Sequence, residues 1–244
     1  MEKDLLKLLI AEYQQKVVEI SFNERPYAIE DSLNYVFTGL RRAGKSYMMY
    51  QRIRQLLNAG YTKDSILYFN FEDDRIASFQ SADLDRIKLS YEEMFDSKPI
   101  FFLDEIQIVD HCEKFARRLA DQDYRVYVTG GNAKMLSSEI ATTLGGRYII
   151  QNIFPYSFRE YLAALQMDVE DKNFLYRNTA KINKAFEVYF RFGGLPELIA
   201  VSDKRAWLSN LYQKIFLGDL ITRYQVRNAF ALQVLIRKLA ESVK

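Results

Sequence analysis

The chain is poor in the reactive and rigid residues: one cysteine, one histidine, one tryptophan and four prolines among 244 positions. A single cysteine excludes an internal disulfide and fits a reducing, cytoplasmic setting. The lone His111 stands beside the lone Cys112. Helix neighbours point about 100° apart, which suits neither a thiol dyad nor a shared metal, and two ligands are too few for structural zinc. The pair therefore reads as structural, and chemistry must come from carboxylates, lysine, arginine and a bound metal. No apolar run approaches the ~18 residues of a membrane span. Met1-Glu-Lys-Asp-Leu-Leu-Lys7 puts charges where a signal peptide needs an apolar core, so neither a membrane nor secretion is expected. Repeats and low-complexity tracts are also missing. Net charge is only +2, too small to imply nucleic acid by itself. Residues 201–244 carry +5 and the rest −3, a bias that usually marks solvated helix faces, so a nucleic-acid partner is weakly supported.

What is present is an ordinary globular balance, 49% hydrophobic and 27% charged, with 17 Tyr and 17 Phe to fill a core. Residues 2–18 carry an amphipathic helix pattern, with Leu5, Leu6, Leu9, Ile10, Tyr13 and Val17 on one side. A polar connection around Pro26 follows. Five apolar runs then alternate with helical patterns: 35–38, 66–71, 100–103, 125–128 and 148–150. Continuous apolar strands separated by helices indicate a parallel sheet covered on both faces. After Pro155 strands disappear, and helical patterns occupy roughly 157–166, 181–191, 206–226 and 229–243. The expected organisation is an N-terminal helix and linker over 1–29, an α/β core over 30–155, and a helical lid over 156–244. The last helical pattern runs out without a stop signal, so a further C-terminal part is expected.

The chemistry begins at Gly39-Leu40-Arg41-Arg42-Ala43-Gly44-Lys45-Ser46, which fits the phosphate-binding pattern G-x-x-x-x-G-K-[ST]. A strand precedes it and a helix from Lys45 to about Asn58 follows, the context that pattern requires. The glycines let consecutive N–H groups face a phosphate, and the helix N-terminus adds partial positive charge. Lys45 is placed for the β- and γ-phosphates and Ser46 for Mg²⁺. Arg41 and Arg42 occupy variable loop positions near the nucleotide, as does Tyr47 just beyond, and none of them is assigned a catalytic role.

The run Ile100-Phe-Phe-Leu-Asp104-Glu105 is an apolar strand ending in two acids. Asp104 is placed to hold Mg²⁺ through its water shell and Glu105 to polarise an attacking water. Taken alone the two acids could simply open a helix; beside an intact loop the catalytic reading is preferred. The DE pair directs water and so favours hydrolysis over transfer to a small molecule. At the end of the fourth apolar run, Thr129 and Asn132 are both candidates to sense the γ-phosphate. Capping of a helix over 133–142 explains Asn132 equally well. Arg147, just before the fifth run, could stabilise charge on the transferred phosphate in cis or across a subunit boundary, or form a surface ion pair.

These motifs together resemble prokaryotic predicted ATPases of the AAA+ superfamily, near the STAND and archaeal-ATPase branch. The resemblance rests on Gly39–Ser46, Asp104-Glu105-Ile106-Gln107, Thr129–Asn132, Leu144–Arg147, Pro155-Tyr-Ser-Phe-Arg-Glu160 and Gly193-Gly-Leu-Pro-Glu197. It covers about residues 30–224. It implies an α/β P-loop NTPase with a five-stranded parallel sheet in order 5-1-4-3-2 followed by a small α-helical lid. It also implies ATP rather than GTP, and Pro196 near the adenine; on residues alone Gly194-Leu195-Pro196 is a helix stop. Three departures stand out. Gly131 replaces a common serine, Cys112 stands where tryptophan is usual, and relatives continue past residue 244 into a C-terminal domain of unknown activity.

The expected function is Mg²⁺-dependent ATP binding and hydrolysis coupled to movement of the helical lid, in an assembly with a protein partner or with itself. A nucleotide-gated switch with little hydrolysis is the first alternative, and a small-molecule phosphotransferase the second.

Overall fold

A computed structural model describes residues 3–131, 144–215, 221 and 225–242. Its centre is a parallel sheet of β1 (Asn34–Gly39), β2 (Ile66–Asn70), β3 (Ile100–Asp104), β4 (Val126–Gly131) and β5 (Tyr148–Ile153). The spatial order is β2-β3-β4-β1-β5, the order expected. Four of the five strands are apolar along nearly their whole length and buried on both faces, as a helix-covered parallel sheet demands. β5 differs: Ile149 and Ile150 remain exposed on this edge strand. Most strands run one to three residues further than the apolar runs indicated, because polar residues such as Asp104 and Asn152, and glycines such as Gly131, continue the ladder.

The helices α1 (Lys3–Glu19), α2 (Lys45–Asn58), α3 (Leu84–Glu92) and α4 (Cys112–Asp121) cover this sheet. α1 is part of the main core rather than an appendage. Leu6, Leu9, Ile10, Tyr13 and Val17, spaced at helical intervals, are buried in the same cluster as the strands. Tyr13 packs edge-on against Tyr68 and Phe69 of β2. Lys3 and Lys7 reach the Glu93 carboxylate just past α3.

Beyond β5 come α5 (Phe158–Ala164), α6 (Lys172–Arg177), α7 (Thr179–Phe192), α8 (Lys204–Gln213) and α9 (Ala229–Ser242). α6 was not expected; its six residues are too few to show a period. The expected stretch 206–226 begins as α8, and much of its second half lies outside the described residues, as does the helix expected over 133–142. Of these elements, α5 and α7 build a second, smaller core around Tyr156, Tyr161, Leu162 and Ala185. Gly193, in the left-handed region at φ 80°, ends α7 as expected. At Gly194 the chain returns to the start of this module. The Tyr156 N–H donates to the Gly194 carbonyl at 2.7 Å, and a Cβ at Gly194 would stand 2.1 Å from the Tyr156 carbonyl oxygen. Only glycine permits that approach. Among the described residues, no helix is long and apolar enough to cross a membrane.

Because Leu9 is fully buried, Leu9→Ala should lower unfolding stability by about 2–5 kcal/mol, the range for cavity-forming truncations. Urea denaturation checks this. A loss below about 1 kcal/mol would mean that α1 is only loosely attached.

Candidate nucleotide-binding site

The site lies where β1, β3 and β4 end together. In the ladder Gly39 pairs with Gly131 and with Ile153, and Asn70 pairs with Asp104. Gly39 has φ 149°, and a Cβ there would meet the Ile153 carbonyl at 2.1 Å, so the loop leaves the sheet through a point only glycine can occupy. Gly44, at φ 97°, turns the chain into α2. Arg42 also takes a left-handed conformation, at φ 64°. The result is a tight loop closed by the Ala43 N–H donating to the Leu40 carbonyl.

Lys45 is buried, and its ammonium curls back into this loop. Its nearest partners are the Leu40 and Gly39 carbonyls at 3.3 and 3.5 Å, with the Glu105 carboxylate at 3.7 Å. These are long contacts for an ammonium. Ser46, on the first turn of α2, donates to Asp104 Oδ1 at 3.1 Å. Asp104 also accepts from the Thr129 hydroxyl at Oδ1 and from the Tyr68 hydroxyl at Oδ2, both at 2.5 Å. Burial pushes the Asp104 carboxyl above the ordinary carboxylate range, and these three hydrogen bonds oppose that rise. Burial likewise holds the Tyr68 hydroxyl well above its usual value, and the Tyr50 hydroxyl beside it is pushed up to about 12. Both tyrosines therefore stay neutral donors.

Thr129, the last fully buried side chain of β4, serves two masters: it donates to Asp104 and accepts the Glu105 N–H at 2.8 Å. Its hydroxyl thus sets the two acids rather than facing the loop. Glu105 itself adopts φ 53°, a conformation costing a β-carbon-bearing residue of order 1–3 kcal/mol. Its carboxylate lies between Lys45 and the Gln107 amide, which donates to Oε2 at 2.5 Å. The donor set fits a hard divalent cation, with the Ser46 hydroxyl and an Asp104 oxygen side by side next to the phosphate loop. Among the described residues no group of three or more His, Cys, Asp and Glu side chains offers another metal site. His111 and Cys112 part company, the first exposed at the start of α4 and the second buried.

The other candidates divide. Pro196 lies beside the loop, its Cγ 3.9 Å from where a Gly44 Cβ would stand. Leu40 and Tyr47 are exposed on the loop side, and Arg41 reaches Glu72 at 3.4 Å. Arg42 faces the helical module: it pairs with Glu197 and its guanidinium stacks over Trp207 at 5.1 Å. Arg147 is not brought to the site. It precedes the first residue of β5, whose partner is the first residue of β1, so it stands at the opposite edge of the sheet, roughly 15–20 Å from the loop at ~3.3 Å per residue. There it pairs with Asp121. A catalytic role for Arg147 on its own chain's nucleotide is therefore corrected. Asn132 lies outside the described residues.

Three residues that support the site or its surroundings carry no assigned role in the sequence analysis. Tyr68 looks like core in an apolar strand, and nothing in the pattern marks its hydroxyl. Arg25 sits in a polar connection without periodicity. Glu160 did carry a signal, since Ser157-x-x-Glu160 has the spacing of a capping box, which the structure forms.

Comparison with known proteins shows the family of the chain. Residues 31–162, more than half of the chain, match the model of the family AAA_14, described as an AAA domain. An uncharacterized protein of Methanocaldococcus jannaschii is 34% identical over 203 residues, 82% of this chain and 44% of that protein. One from Haemophilus influenzae is 33% identical over 213 residues, 85% of this chain and 51% of that protein. The chain spans about half the length of the curated relatives it matches. Among solved structures, the S. cerevisiae Hsp104–ADP complex aligns with a TM-score of 0.49 at 15% identity, over 95% of this chain and 35% of that one.

The buried Asp104 carboxylate has a consequence for stability. Folding raises its pKa, so the folded chain binds that proton more tightly than the unfolded chain does. Its contribution is fully present below the unfolded value and is lost as pH rises through the folded one. Asp104→Asn, near-isosteric and uncharged, should therefore raise the metal-free melting temperature at neutral pH and flatten the decline as pH rises above the ordinary carboxylate range. Thermal melts across that rise in pH without Mg²⁺ test both; a lower melting temperature for the variant would refute the assignment.

Proposed function

The chain belongs to the AAA domain family, within the AAA+ P-loop ATPase superfamily, and on that premise we propose that it binds ATP with Mg²⁺ and hydrolyses the γ-phosphate bond. The single observation that carries the proposal is the convergence of Lys45, Ser46, Asp104 and Glu105 at one end of the sheet. In this reading the loop amides and Lys45 hold the phosphates, and Ser46 and Asp104 hold the cation with its water shell. The cation supplies charge neutralisation on the phosphate oxygens. Glu105 orients the water that attacks, and Pro196 lies toward the base. The helical module touches the loop at Arg42, Glu197 and Trp207, and movement of that module with the nucleotide state is part of the reading.

A second reading, a nucleotide-gated switch with slow hydrolysis, draws support from Glu105. Its Oε2 accepts from Gln107 and its Oε1 lies 3.7 Å from the Lys45 ammonium, so a water has to share a carboxylate that is already engaged. Steady-state phosphate release separates the two. A phosphotransferase would need the labelled γ-phosphate to appear on an acceptor other than water. Away from its own nucleotide, Arg147 is left with its surface pair to Asp121 or with a neighbouring subunit's nucleotide, the latter requiring self-association.

Lys45→Ala is expected to abolish Mg·ATP binding by calorimetry. Glu105→Gln should bind ATP normally but release phosphate at least about 100-fold more slowly, within the span general-base catalysis contributes. Turnover surviving in Lys45→Ala at the unsubstituted rate would defeat the proposal.

A further inference from the structure

The nucleotide reading leaves the Pro155–Glu160 motif without a role, and it leaves unexplained a guanidinium buried outside the catalytic cluster. Arg25 lies in the connection between α1 and β1, and only 6% of its surface is exposed. Gln51 of α2 fixes its backbone from both sides, accepting the Arg25 N–H at 2.8 Å and donating to its carbonyl at 2.8 Å. The guanidinium forks. Nη1 donates to the Ala43 carbonyl at 3.2 Å, inside the phosphate loop, and Nε donates to Glu160 at 2.7 Å. The rings of Tyr27 and Tyr156 each lie 5.0 Å from its central carbon. Its remaining nitrogen, Nη2, is buried without a hydrogen-bond partner.

Glu160 is equally committed. One carboxylate oxygen takes the Arg25 bond, and the other accepts the Ser157 N–H at 2.8 Å, completing the capping box that starts α5. Burial would raise its pKa, but Arg25 and the Ser157 amide hold the carboxyl below the ordinary range. One planar cation therefore joins a main-chain carbonyl of the loop to the first turn of the helical module. Arginine can hold two acceptors in a fixed fork; lysine, a single point charge, cannot do so with the same geometry.

We propose that Arg25 and Glu160 are positioning residues that form a latch, through which a nucleotide in the phosphate loop sets the seat of the helical module. The proposal rests on the nucleotide reading above and adds the coupling element to it. Any shift of the Ala43 carbonyl when phosphates enter must change the Arg25 fork, and the fork's other tine ends on the N-terminus of α5. The orphan Nη2 gives the guanidinium a second arrangement to move into, since an unmet buried donor gains from any acceptor brought within reach.

The chain carries its own reporter: Trp207 is its single tryptophan and stacks on Arg42 of the loop. Mg·ATP added to the unsubstituted protein should change Trp207 emission. Arg25→Lys and Glu160→Gln are expected to bind Mg·ATP within tenfold of the unsubstituted affinity by calorimetry while losing at least four-fifths of that emission change. Full emission changes in both variants overturn the latch. For a measurement independent of variant folding, hydrogen exchange over residues 157–164 of the unsubstituted protein should differ at least threefold with and without Mg·ATP. Unchanged exchange despite binding also overturns the latch and leaves the ATPase reading standing. No binding at all by the unsubstituted protein defeats that reading instead.

Discussion

The structure depends on keeping a carboxylate in a place from which water has been removed. Asp104 is almost wholly buried, and an ion so placed is tolerated only with strong hydrogen bonds or a cation. Each of its donors comes from a different element: Ser46 from α2, Tyr68 from β2 and Thr129 from β4. The strand order makes this possible. β4 intervenes between β1 and β3, so Thr129 sits between the loop and the acid. Swapping any two of those strands would leave the carboxylate short of a partner.

Much of this was legible in the chain. The loop and the acid pair are each contiguous, and their placement at strand ends follows from short-range pattern. The sheet order came with the resemblance to AAA+ proteins and agrees with the structure. The partners that tune the site were not legible, because Tyr68 and Arg25 act through contacts dozens of residues away. Arg147 is instructive: of its possible roles, the surface ion pair is the one formed. It lies just before the fifth strand, and in a parallel sheet every strand begins at the end remote from the loop. Strand direction alone placed it away from its own nucleotide.

The loop also serves as a docking surface for the helical module. Arg42 pairs with Glu197 and stacks on Trp207 at the rim, while Arg25 ties Ala43 to Glu160 inside. The outer contact is exposed to solvent, and surface pairs of that kind contribute ~0–1 kcal/mol. The inner one is shielded, and truncating either partner would strand a buried charge. Rim and interior thus have different tasks: the first can be made and broken at little cost, whereas the second fixes register between the two cores.

The strained backbone belongs to the same logic. Glu105 could have continued β3 or begun an ordinary helix, yet it turns into the left-handed region with its N–H on Thr129. That turn separates the two acids. Asp104 stays with the sheet beside Ser46, and Glu105 is aimed along the loop toward Lys45. Neighbouring residues in an extended strand point to opposite faces, so an unstrained continuation would have put the second acid on the far side of the sheet. The conformational penalty is what allows two consecutive residues to serve one site, and the Thr129 hydroxyl, bonded to both, is the group that holds it in place.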